Sequence, residues 1–204
     1  MKLQKAIMSE ALLRFRCHVR ADLFRYGGES GPMGIFRAWI REPGFRLVFS
    51  LRLCRLLREI SWTRWGFYHL IKYFYGRSCV RYGVYLDPFM ELGGGLFIPH
   101  PCSIIVNSSV VIGSNCNLSQ GVTIGVGNRG KFPGFPRICS RVFIGPGAVI
   151  FGGISVGEGS AVGANSVVTK SVPAGRTVGG IPAVVISDSG SDGYVNFTLD
   201  ELGD

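Results

Sequence analysis

A six-residue spacing of β-branched residues constrains this chain more than any other feature. Ile138, Ile144, Ile150, Val156, Val162 and Val168 stand six apart, and four residues after each come Val142, Ala148, Ile154, Ser160, Ser166 and Val172, mostly small or apolar. Upstream, Val106, Ile112, Leu118 and Ile124 keep the same spacing, with Leu92, Ile98, Ile104, Val110, Cys116 and Val122 at the offset position. Glycine often follows the first position, as in Ile112-Gly113, Ile144-Gly145 and Val162-Gly163. A period of six fits neither the 3.6 of an α-helix nor the alternation of a long strand. It describes a short strand, a turn and a change of direction, repeated. Three such hexads close a triangular coil. Stacked coils satisfy one another's backbone groups at about 4.8 Å, and the branched side chains fill the inside. The expectation is a mainly β fold, a parallel β-helix over residues 83–186.

The two registers do not meet. Ile124 and Ile138 are 14 residues apart, eight more than one hexad, so an excursion leaves the coil within residues 126–137. That stretch, VGNRGKFPGFPR, is rich in Gly, Pro and basic residues, and a loop that interrupts a regular solenoid is a natural place for function.

Residues 1–82 read instead as an α-helical region. Arg52, Arg55 and Arg58 recur at three-residue spacing between Leu51, Leu53, Leu56 and Leu57, which predicts one basic and one apolar face. Gly and Pro breaks at Gly27–Gly28, Gly31–Pro32 and Pro43–Gly44 divide the region into three or four helices. This region holds 16 of the 22 Lys and Arg and 5 of the 13 acidic residues, a net +11; the rest of the chain nets −2. Such a surface suits nucleic acid, anionic lipid or an acidic polymer, or is simply a solvated or oligomer-packing face. The aromatic run from Trp62 to Tyr75 fits a membrane-interface helix or a subunit contact. Residues 187–204, with five acidic and no basic residues, read as a mobile acidic tail.

Glycine, at 30 residues, is about twice its ordinary share, as frequent tight turns require. The six cysteines include no CxxC pair, so a zinc site is not expected and free thiols fit a reducing cytoplasm. Arg14 and Arg16 break the first apolar stretch at once, which argues against a signal peptide, and no window of about 18 uncharged apolar residues suggests a span. The expected location is cytoplasmic, with peripheral contact at the inner face of the membrane as an option and no role in nucleic-acid binding.

Of three histidines, only His100 falls in the repeats, six residues before Val106 and therefore in the apolar column. Pro99 and Pro101 fix the backbone around it. A neutral imidazole there suits the removal of a proton from a hydroxyl.

The segments FIPHPCSIIVN, SQGVTIG, VFIGPGAVIFGGISVGEGSAVGANSVVTKSVPAG and GGIPAVVI resemble the serine acetyltransferase branch of the hexapeptide-repeat acyltransferases, across about half of the chain. ADLFRYGG resembles the family's entry segment more loosely. The resemblance implies a left-handed coil, acetyl-CoA as co-substrate, no metal, and a homotrimer or a hexamer of two trimers with coenzyme A between subunits. It places His100 on the family's general base and matches Gly145, Gly163, Ala164, Thr169 and Lys170 to the coenzyme groove. Val184 stands where many relatives carry an Arg, which leaves Lys170 or Arg176 for the phosphates.

Three positions depart from the pattern. Tyr85 replaces the Asp that orients the catalytic His, with Asp87 two residues on. Phe135 replaces a serine-holding His, and Leu202-Gly203-Asp204 stands where the family carries a branched apolar C-terminus. With Phe135 as a flat apolar face and Arg129, Lys131 and Arg137 around it, the expected acceptor is a sugar hydroxyl of a surface polysaccharide or its precursor. The alternative is serine O-acetylation in cysteine biosynthesis. Zinc carbonic anhydrases share the fold but need three histidines about the metal. A purely structural β-helix would need no such His.

Overall fold

The computed structural model describes residues 2–27, 31–60 and 66–198, with side chains described from Met8 onward. Four helices come first: α1 (Lys2–Arg25), α2 (Pro32–Arg41), α3 (Pro43–Glu59) and α4 (Phe67–Tyr82). Both α2 and α3 open on proline, whose missing N–H costs nothing in the first turn. Gly83, at φ 63°, takes the left-handed cap that ends α4. Trp62 and Trp65 of the aromatic run lie outside the described residues.

After Val84 the chain makes short strands that visit three parallel sheets in rotation. The first face holds Ile105–Val106, Thr123–Gly125, Val149–Phe151 and Val167–Val168, and the second holds Val111–Ile112, Arg137–Ile138 and Ser155–Val156. The third holds Asn117–Leu118, Phe143–Ile144, Ala161–Val162 and Thr177–Gly180, on which Ala183–Ser187 folds back antiparallel. Inside the prism, Ile112, Leu118, Ile124, Ile138, Ile144 and Ile150 are at most 1% exposed. Each such side chain stabilises the fold by about 1.5–3 kcal/mol.

Strand pairing measures the coils. Ile105 pairs with Thr123, 18 residues on, which is three hexads. Val111 pairs with Arg137 and Asn117 with Phe143, 26 residues on, because the eight-residue excursion intervenes. In the first coil Tyr85, Leu92 and Phe97 pair with Ile105, Ile112 and Asn117, all 20 residues on. The first coil is therefore two residues longer than a regular one, and the extra residues fall between Phe97 and Ile105. This corrects the predicted register. Leu92 and Ile98 belong to the column of Ile112 and Leu118, and His100, six before Val106, does not reach the column at all.

The helices cap the open end of the coil, where carbonyls have no rung below them. Arg52, 2% exposed, pairs with Asp22 at 3.0 Å and donates to Leu92 O at 3.1 Å and to Gly93 O. Asp22 Oδ1 in turn accepts from Leu96 N at 2.8 Å. Arg55 donates to Met90 O at 3.3 Å, and the Arg58 guanidinium lies 4.0 Å from the Phe89 ring centroid. The basic stripe expected at the surface thus faces the chain's own first coil. Guanidinium donors meeting orphan carbonyls is what turns it inward.

The acidic segment is not free either, as far as Thr198. Ser191 Oγ donates to Arg141 O at 2.6 Å, Tyr194 stacks on Phe143 with ring centroids 4.3 Å apart, and Thr198 is buried. Asn117 Nδ2 donates to Tyr194 O at 2.9 Å. Side-chain donors on backbone carbonyls and one aromatic stack hold it to the prism despite its polar composition.

Among the described residues no helix is long and apolar enough to cross a membrane.

His18 packs where α1 meets Gly94 of the first coil. Burial, and then the neighbouring Arg52 charge, lower its pKa to about 4. An unfolded imidazole titrates near 6.5. As pH falls from about 6.5 to about 4 the unfolded chain gains a proton that the folded chain refuses, so stability is lost across that window. Urea midpoints at pH 7 and at pH 4.5 should differ by less in His18→Gln than in the parent chain.

Candidate active site

The two extra residues of the first coil make a bend at the edge where the third face turns into the first. His100 sits in that bend, exposed, between the buried Ile98 and Ile104. Pro99 and Pro101 supply no N–H to a ladder, and Ser103 at φ 52° completes the turn. An imidazole in the apolar column would be buried without a partner, whereas on the edge it faces outward.

The approach to the bend is clamped from the helices. Tyr26 Oη donates to Ile98 O at 3.2 Å and accepts from Ile98 N at 2.9 Å. Burial raises the Tyr26 pKa, so its hydroxyl stays protonated. Gly44 of α3 lies against the same carbonyl, and a Cβ there would stand 1.8 Å from Ile98 O. Neither Tyr26 nor Gly44 is among the expected site residues, Gly44 entering only as a helix break. A signal was present in ADLFRYGG, where Asp22, Arg25 and Tyr26 stand at i, i+3 and i+4 and share one helix face. Arg25 donates to Gly95 O at 3.2 Å and to Asn117 Oδ1.

The same edge carries Gly145 two rungs above His100, and Gly163 and Ala164 one rung higher still. A side chain on Gly145 would come within 2.8 Å of Val162 O and 2.9 Å of Ala164 N, so the edge stays close to bare backbone there. Four of the expected site residues are thereby aligned along one edge.

The others are not. Tyr85 lies on the first face beneath Ile105 and is 61% exposed. Asp87 turns its carboxylate to its own loop, where Oδ1 accepts from Phe89 N at 2.7 Å. Among the described residues no hydrogen bond joins either to His100. Thr169 and Lys170 follow Val167–Val168 at the opposite edge of the first face. Arg176 stands at the third edge, paired with Asp188.

The excursion loop leaves from the Thr169–Lys170 edge. It is a hairpin closed by reciprocal bonds between Gly127 and Gly134, both 2.9 Å, and pinned to the next coil by Gly153 N donating to Phe132 O at 2.9 Å. Its close approach needs glycine: a Cβ on Gly127 would stand 2.7 Å from Gly152 Cα. Arg129, Lys131 and Phe135 are exposed on this hairpin. Arg137 is not with them, because Pro136 turns inward and Arg137 points out over the second face beside Glu91 and Glu158. One chain therefore holds His100 and the glycine edge on one side of the first face, and the loop and Lys170 on the other.

No family profile matches this chain. It is 36% identical over 155 residues to the serine acetyltransferase of Bacillus subtilis, covering 76% of this chain and 69% of that one. Against the serine acetyltransferase of Synechococcus elongatus it is 38% identical over 108 residues, 53% of this chain and 44% of the relative. The chain thus spans less than half the length of that relative. The serine acetyltransferase of Brucella abortus in complex with coenzyme A superposes with a TM-score of 0.71 at 30% identity, over 92% of this chain and 74% of that one.

Proposed function

This chain belongs to the serine acetyltransferase family, and we propose that it is an acetyl-CoA-dependent O-acetyltransferase in which His100 is the general base. The observation that carries this reading is the alignment of His100 with Gly145, Gly163 and Ala164 on one edge of the coil. The imidazole takes the proton of the acceptor hydroxyl as that oxygen attacks the thioester carbonyl carbon. The carbon–sulfur bond then breaks, and the imidazolium returns the proton to the leaving thiolate. The low-profile glycine edge admits the pantetheine arm, and Lys170 meets the coenzyme's phosphates.

Those two groups lie on opposite edges of the first face, and that face exposes Tyr85 and Ile105. A second copy laid against it brings the loop and Lys170 of one chain to the His100 edge of another. This supports a closed trimer with its sites between subunits. The reading takes the coil as left-handed, as the family resemblance implies.

For the acceptor, the relatives favour L-serine, since they are named serine acetyltransferases. A second reading, transfer to a sugar hydroxyl, rests on Phe135, an exposed aromatic on the loop with Arg129 and Lys131 near it in sequence. Release of free coenzyme A thiol, measured with L-serine and with acidic oligosaccharides as acceptors, separates the two. The first reading expects turnover with serine and none with saccharide, and the reverse result establishes the second. If thiol release with both acceptors stays at the acceptor-free background, both readings fail.

A further inference from the structure

We propose that the outer face of α2, α3 and α4 docks on an anionic lipid bilayer, with a groove between these helices receiving a lipid tail. The groove holds about 820 Å³ and is lined by Trp39, Phe49, Leu53 and Phe74 together with Arg77 and Arg81. That volume lies in the range of small-molecule sites, about 300–1,000 Å³. Val80, 83% exposed, lines it too, and on the same helices α2 exposes Met33, Phe36 and Ile40 and α4 exposes Phe67, Leu70 and Tyr73. Many large apolar side chains exposed on two helices that share a groove mark a partner or a membrane.

Charge selects between them. Neither α2 nor α4 contains an acidic residue, while together they carry Arg37, Arg41, Lys72, Arg77 and Arg81. Glu59, at the end of α3, is engaged by Arg14 at 2.8 Å and Arg55 at 3.5 Å. Arg77 and Arg81 form no ion pair among the described residues. A two-fold contact with a second copy would lay this basic face on its own image, and like charges brought together oppose association. Trp, Phe and Leu interleaved with Lys and Arg is the composition of helices that lie in a membrane surface. The groove is also preformed. Arg46 donates to Trp39 O at 2.8 Å and to Ile40 O at 2.9 Å, and lies 5.3 Å from the Trp39 ring centroid, which fixes α2 on α3.

The test is co-sedimentation of the full chain with phosphatidylglycerol vesicles and with phosphatidylcholine vesicles, at low salt and at about 0.5 M salt. Binding is expected to the anionic vesicles alone, and weaker in high salt. Arg77→Gln with Arg81→Gln should weaken the partition by roughly 30-fold, and Trp39→Ser with Phe74→Ser should weaken it at both salts. Circular dichroism checks the folding of each variant. Should the aromatic pair fail to fold, the two surface arginines carry the test alone. The proposal fails if the parent chain stays in the supernatant with anionic vesicles at low salt, or if the arginine variant binds as the parent does. It fails equally if the variants change the molecular mass in light scattering and leave vesicle binding intact, since the face would then be a self-contact.

Discussion

Replacing His100 with alanine is expected to lower acetyl transfer by roughly 10²–10⁴-fold, the range for loss of a general base, with little change in acetyl-CoA affinity. The expectation follows from where the bend puts the ring. His100 is exposed at the edge, held by Pro99 and Pro101 and reached through an Ile98 whose N–H and C=O both meet the Tyr26 hydroxyl. Removing the imidazole leaves that backbone and the glycine edge as they are, so the loss should fall on turnover and not on coenzyme binding. Stopped-time thiol assays and calorimetric titration with coenzyme A read the two quantities separately. A variant with near-parental turnover would overturn the assignment. Tyr85→Phe and Asp87→Asn, made singly, show whether either side chain orients the ring. Since Asp87 holds Phe89 N in its own turn, Asp87→Asn should cost the reaction little unless assembly redirects the carboxylate.

Asp22→Ala should cost about 3–5 kcal/mol of folding stability, the range for leaving one member of a buried ion pair alone. Arg52 and Asp22 are 2% and 1% exposed, so water cannot replace the lost carboxylate. The substitution also strands Leu96 N, which now donates to Asp22 Oδ1 at 2.8 Å. Small domains are stable by only about 5–15 kcal/mol, so a loss of this size approaches outright unfolding. Replacing both residues, Asp22→Leu with Arg52→Met, removes the unpaired charge and should restore part of the loss. It should not restore all of it, because Arg52 also serves the carbonyls of Leu92 and Gly93. Urea unfolding of the three chains orders them. If Asp22→Ala proves as stable as the parent, the cap on the first coil is not held by this pair.

The six-residue period alone determined that the chain coils around three faces, because the inward positions must be small or apolar and each hexad reports its own position. The arithmetic from Ile124 to Ile138 likewise placed an excursion of eight residues, and the hairpin between Gly127 and Gly134 lies inside it. The same pattern carries a second signal, a slip of two residues in the first coil. Leu86, Leu92 and Ile98 keep step with one another, yet Val106 follows Ile98 by eight residues. Read by spacing from Val106, His100 falls in the core; the pairing of Phe97 with Asn117 puts it on the edge. The tertiary structure also decided the direction of the charges. By its spacing Arg52 belongs to a basic helix face, but its partner Asp22 is 30 residues away and the carbonyls it serves are 40 and 41 away. It decided as well that Tyr194 of the acidic segment stacks on Phe143. A local period records which side of the backbone must avoid water. Which partner satisfies a buried charge or an orphan carbonyl depends on segments that meet only when the chain is folded.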